Sequence, residues 1–118
     1  MEDSGFCPVH ESIELLQEKW VLHIIRSLLE GPSGFNALSR SVGGVNTTTL
    51  AQRLEQLERL RIIDKVIEST MPPKTRYELT DAGYELQGVI DSIDAWARKH
   101  IAQPLTNGGR IEVDAATV

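Results

Sequence analysis

The chain has 118 residues, 41% of them apolar and 25% charged, with a formal net charge of -5 and a single cysteine. That is room for one domain with a hydrophobic core and too little for two ordinary ones, at the composition of an average globular protein. No run of about 18 apolar residues offers a membrane span, the acidic opening MEDSGFCPVH lacks the apolar stretch of a signal peptide, and one thiol builds no internal disulfide framework, so cytoplasmic residence without a membrane partner is expected.

In HESIELLQ, Ile13, Leu15 and Leu16 give a short amphipathic helix, with Pro8 at or near its first turn. KWVLHIIRSLLEG is apolar on more than one face, through Trp20, Ile24 and Leu28 and again through Val21, Ile25 and Leu29. It reads as a buried central helix ending at Gly31-Pro32. GFNALSRSV sets Phe35, Leu38 and Val42 on one side of a third helix, and Gly43-Gly44 then breaks the chain.

The next stretch, NTTTLAQRLEQLERL, spaces Leu50, Leu54 and Leu57 four and three residues apart, the interval of a core-facing helical stripe. Asn46 or Thr47 is the expected N-cap. The opposite face presents Thr48, Thr49, Gln52, Glu55, Gln56 and Arg59, with Arg53 at its edge. After it, RIIDKVIES and TRYELT alternate on either side of the turn TMPPK, a β-hairpin with prolines at its tip. A long helix is expected from Asp81, capped by Thr80, with Leu86, Val89, Ile90, Ile93, Trp96, Ala97 and Ile101 apolar. The segment after Pro104 has turn residues and no helical period. The expected division is therefore a folded domain over 1–103 and a flexible tail over 104–118.

Charge is uneven along this series. Residues 1–33 hold two basic residues against six acids, residues 34–77 hold seven against four, and residues 78–118 hold three against seven. A basic middle within an acidic chain is the footprint expected for a polyanion partner. Helices, a hairpin and a closing helix in this order make a mainly α fold with a β-hairpin (α+β), the winged helix-turn-helix. Its fourth helix would enter the major groove of double-stranded DNA, where Thr, Gln and Arg side chains reach base edges and phosphates. The candidate DNA-binding residues are Asn46, Thr47, Thr48, Thr49, Gln52, Arg53, Gln56 and Arg59 on that helix, with Lys74 and Arg76 at the hairpin tip. The rival class is a winged helix that docks an acidic protein and binds no DNA.

The residues CPV near the start, EKWVLHIIRSLLEGPSGFNALSRSVGGV, TTTLAQRLEQLE and PPKTRYELTDAGYEL resemble the HxlR-type transcriptional regulators, relatives of the MarR group, over residues 6–100 in unbroken order. The resemblance implies a winged-helix homodimer, joined through its terminal helices, that binds operator DNA. It also implies structural roles for Trp20 and Phe35, a recurrent recognition-helix arginine at Arg53, and wing positions at Lys74, Arg76 and Tyr77. Glu55 departs from the basic or neutral residue usual there. Leu60-Arg61 stands where the family tends to have Asp-Gly, so the helix must end by another cap.

Dimer contacts are expected from the apolar spacing of Leu86, Ile90, Ile93, Trp96 and Ala97, with Phe6 and Ile13 packed alongside. Trp96 and its stripe read as packing in preference to an effector pocket. Cys7 matches a cysteine that, in some members of the family, senses electrophiles or oxidants; a place near a helix N-terminus favours thiol reactivity. A small-molecule or oxidant effector is therefore one reading and simple packing beside Phe6 the other. A Cys7–Cys7 bridge between protomers would require Cα atoms within about 7 Å. His10, His23 and His100 are too scattered for a metal site, and no nucleophile triad, phosphate loop or carboxylate pair stands out. No enzymatic activity, cofactor or metal is expected.

Overall fold

A computed structural model describes residues 6–101 of the chain. The tail expected over 104–118 lies outside the described residues. Helix α1 spans Pro8–Leu16, with Pro8 in its first turn and Cys7 as the cap residue. Only Leu15 and Leu16 lean on the core, while Phe6, Val9 and Ile13 stay exposed. The chain then turns sharply at Trp20, whose φ of 81° is left-handed, a region that bulky residues seldom occupy. The corner is held in place. Trp20 O accepts from Ile24 N at 2.9 Å, Lys19 Nζ lies 5.1 Å from the Trp20 ring centroid, and the ring packs against the core.

Helix α2, Val21–Leu29, is the central element expected from its apolar faces: Val21, Ile24, Ile25 and Leu28 are fully buried. Each such side chain removed from water contributes about 1.5–3 kcal/mol. Helix α3 spans Phe35–Val42 with Leu38 fully buried, and Gly43 and Gly44, at φ 73° and 79°, make the turn into α4, Thr47–Arg59. Positive φ at two successive residues is cheap only for glycine, so this pair sets the angle between the two helices. The stripe of α4 behaves as its spacing predicts, with Leu50, Leu54 and Leu57 at 0–1% exposure.

Helix α4 ends without glycine. Ile62 N donates to Leu57 O at 2.9 Å and Arg61 N to Glu58 O at 3.0 Å, the paired bonds of a Schellman motif, with Arg61 in the left-handed position at φ 62°. Leu57 and Ile62, both buried, supply the apolar contact that accompanies this cap. The cap that Leu60-Arg61 makes without glycine is thus a Schellman motif with a strained residue in it.

Strands β1, Ile63–Thr70, and β2, Pro73–Leu79, pair antiparallel with a bulge between Ile67 and Ser69. The turn is tighter than its sequence suggested, only Met71-Pro72, and β1 begins at Ile63, two residues later than expected. Pro73 opens β2, a place where a missing N–H costs no ladder bond. Ser33, in the loop before α3, exchanges two backbone hydrogen bonds with Tyr77 (3.0 and 2.7 Å), which fixes the hairpin to the helical body.

Thr80 caps the helix after the hairpin, its Oγ1 accepting from Gly83 N at 3.2 Å. The single long helix expected from Asp81 is interrupted at Glu85, giving α5, Asp81–Tyr84, and α6, Leu86–His100. Gly83 and Gly88 on either side of the break weaken the helix there. Gly83 is also required sterically, since a Cβ would stand 2.4 Å from Ile62 O and 2.7 Å from Leu79 Cδ2.

Candidate DNA-binding surface

Two elements present the surface: α4, and the hairpin that the Ser33–Tyr77 bridge fixes beside the body. Asn46 is the N-cap of α4. Its Oδ1 accepts from Thr48 N at 2.7 Å and Thr49 N at 3.3 Å, satisfying donors that the first helical turn leaves free. This is the cap role expected of Asn46; its carbonyl oxygen is committed to the helix, and the residue is exposed.

Burying the leucine stripe turns the other side of α4 to solvent. Thr47, Thr48, Gln52, Glu55 and Arg59 are exposed, and Thr49, Arg53 and Gln56 are half-buried. Ala51 and Glu58, which sequence reasoning passed over, share the exposed side. Arg59 Nη1 lies 3.8 Å from Glu55 Oε1, one helical turn away, with both side chains about two-thirds exposed. A pair this open is weak, and its arginine remains accessible to a stronger anion.

Arg53, half-buried at the edge of that face, is bonded within the chain. Its Nε donates to Lys19 O at 3.0 Å, across 34 residues of sequence, and ties the middle of α4 to the corner before α2. That bond positions the helix. Arg76 is bonded within the chain as well. Its guanidinium is bonded to Glu68 through Nη1 and reaches Glu78 through Nη2 at 3.5 Å, and its side chain is one-third exposed. The hydrogen bond to Glu68, seconded by the charges of Glu68 and Glu78, holds the Arg76 guanidinium above its ordinary pKa. Lys74 is the open cation of the tip, 71% exposed and 3.9 Å from Glu68. Glu68 had no signal in the sequence, because its role depends on the bulge.

The residues expected at a dimer interface divide into two groups. Leu86 and Ile90 pack against the core and are partly buried, and Ala97 is half-buried. The three-and-four spacing runs through both groups, because Ile93 shares it with Leu86 and Ile90. Ile93 and Trp96 are exposed at 49% and 59%, with Val89 beside them, and Phe6 just before α1 and Ile13 on it are exposed. An open groove of about 530 Å³ runs between α2 and α6, lined by apolar Leu22, Leu29, Ile90, Ile93 and Ala97 and by charged Arg26, Glu30, Asp91 and Asp94. Trp96 lies outside it, on a separate shelf with Val89, Ser92 and Ile93. Cys7 is exposed at the start of α1. Among the described residues no helix is long and apolar enough to cross a membrane, and no cluster of His, Cys, Asp or Glu is placed to hold a metal ion.

The HxlR-like helix-turn-helix family matches residues 15–104. The chain belongs to the HxlR-like family. It is a transcriptional regulator of the helix-turn-helix type, with α3 and α4 as the motif. Among its relatives is the HTH-type transcriptional regulator YodB of Bacillus subtilis, 35% identical over 92 residues that span 77% of this chain and 82% of that one. The solved structure of the HTH-type transcriptional regulator YtcD superposes with a TM-score of 0.78 at 30% identity, covering 83% of this chain and all of the other. YtcD is also from Bacillus subtilis. Reduced YodB superposes at 0.73 with 33% identity over 82% of this chain and 96% of its own, and YodB has also been solved bound to quinone. Cys7 precedes the residues that the family match covers.

Proposed function

We propose that two copies of this chain bind one inverted-repeat operator in the cytoplasm, each inserting α4 into the major groove and laying its hairpin along the phosphate backbone. The observation that carries the reading is the outer face of α4. Thr48, Gln52 and Arg59 project from a helix whose inner stripe is fully buried and whose N-terminus is capped by Asn46. Such a helix is rigid, polar outside and free of competing contacts over most of its length.

In this reading Thr47, Thr48, Thr49, Gln52 and Gln56 meet base edges or nearby phosphates, Arg59 exchanges Glu55 for a phosphate, and Arg53 orients the helix. Lys74 supplies a phosphate contact. The homodimer forms through exposed apolar residues at the two ends of the fold, Phe6 before α1, Ile13 on it, and Ile93 and Trp96 on α6. An oxidant or quinone-like electrophile acting at Cys7 is the effector class that the YodB comparison favours, and the exposure of the thiol is compatible with it.

Titration of labelled duplexes tests the first part. Gln52→Ala should weaken the preferred duplex by about 1–3 kcal/mol and leave random duplexes nearly unchanged, whereas Lys74→Ala should weaken all sequences alike and reduce the salt dependence. Failure to retard any duplex at low salt would overturn the reading in favour of a protein-docking winged helix. For Cys7, wild type and Cys7→Ser are compared before and after mild quinone treatment. Equal DNA affinity in all four states removes the effector reading and leaves the regulator intact.

A further inference from the structure

The wing carries its cations in an unusual state. Pairing of β1 with β2 slips between Ile67 and Ser69, so Glu68 is the extra residue of a bulge. Its carboxylate meets both cations of the tip: Oε2 accepts from Arg76 Nη1, and Oε1 lies 3.9 Å from Lys74 Nζ. Over residues 63–79 the basic Lys65, Lys74 and Arg76 stand against the acidic Asp64, Glu68 and Glu78, so the hairpin has no net charge. Most of the positive surplus of the middle of the chain lies before the hairpin, in Arg40, Arg53, Arg59 and Arg61 against Glu55 and Glu58.

One carboxylate bridging a guanidinium and an ammonium makes the contacts that a DNA phosphate makes with the same two groups. We propose that Glu68 is an internal stand-in for a backbone phosphate, an affinity-setting residue that holds Lys74 and Arg76 until DNA displaces it. The proposal rests on the DNA-binding reading above and adds a residue to it. Its energetics are favourable to exchange. The three side chains are 30–71% exposed, so the pairs are screened by solvent and weak. A duplex offers a dense row of phosphates and gains by releasing counterions. Glu68 then faces the incoming phosphates as a like charge, so it restrains binding twice, by occupying the cations and by repulsion.

The test is Glu68→Gln, which keeps shape and removes the charge, with Glu68→Ser as a second variant of the same charge change. Both are titrated with random and preferred duplexes across a salt series. The variants should bind all duplexes roughly threefold to tenfold more tightly at about 0.1 M salt, and the slope of log K against log salt should steepen by about one to two. Adding Lys74→Ala to Glu68→Gln should remove about half of the gain. Unchanged affinity and slope in both variants, with wild type binding normally, would overturn this proposal alone, and weaker binding would do the same by showing that Glu68 aligns Arg76 productively. If neither wild type nor the variants bind any duplex, the DNA reading falls and this inference with it.

Discussion

Arg61 shows how a local cost is carried by the fold. It occupies the left-handed position of the α4 cap at φ 62°, where an L residue with a side chain pays about 1–2 kcal/mol. The surrounding bonds keep it there: Ile62 N to Leu57 O, Arg61 N to Glu58 O, and Thr80 Oγ1 donating to Arg61 O at 2.7 Å. Arg61→Gly should therefore stabilise the protein by roughly 0.5–1 kcal/mol, the relief of strain less the extra freedom glycine gives the unfolded chain. A chemical denaturation midpoint reads this directly, and a lower midpoint would mean that the Arg61 side chain contributes more than its backbone costs. At the other end of the helix Asn46→Ala removes the cap and should cost about 1 kcal/mol. The cap was legible in the sequence because Asn46 precedes the apolar period by one turn. The Arg53 to Lys19 bond was not legible, since two positions 34 residues apart meet only through tertiary placement.

Among the elements, those with a clean period were the easiest to read. The leucine spacing of α4 and the apolar faces of α2 specified their buried sides, and Gly43-Gly44 specified the turn between α3 and α4. The apolar residues of α6 were ambiguous for a physical reason: a long amphipathic helix beside a small domain can turn the same stripe inward where it meets the core and outward beyond it. Here it divides, Leu86 and Ile90 inward, Ile93 and Trp96 outward. The bulge at Glu68 and the break at Glu85 depend on pairing register and close packing, neither of which leaves a period. Gly83 binds these elements together, because its hydrogen atom faces Ile62 O and the Leu79 side chain. Gly83→Ala should cost about 1–3 kcal/mol, as overpacking at a backbone contact does. A thermal melt would show it, and an unchanged Tm would mean that α5 can shift away from the base of the hairpin.

For the whole molecule, the balance of -5 conceals both the basic middle of the chain and the neutral wing within it. Phe6 before α1, Val9 and Ile13 on it, and Val89, Ile93 and Trp96 on α6 leave apolar surface, the surface proposed for a second copy. Ile93→Asp should convert a dimer into a monomer by light scattering at micromolar concentration, with α2 and the core unaffected; a wild-type monomer would contradict the dimer. The most direct measurement of the central claim is selection of duplexes from a random pool by the purified wild-type protein, read by sequencing. A dimer presenting two copies of α4 should enrich an inverted repeat with half-sites about one helical turn, roughly 34 Å, apart, and Gln52→Ala should relax the preference at one position in each half-site. Enrichment of no sequence at low salt, or of a motif indifferent to substitutions along α4, would contradict the account.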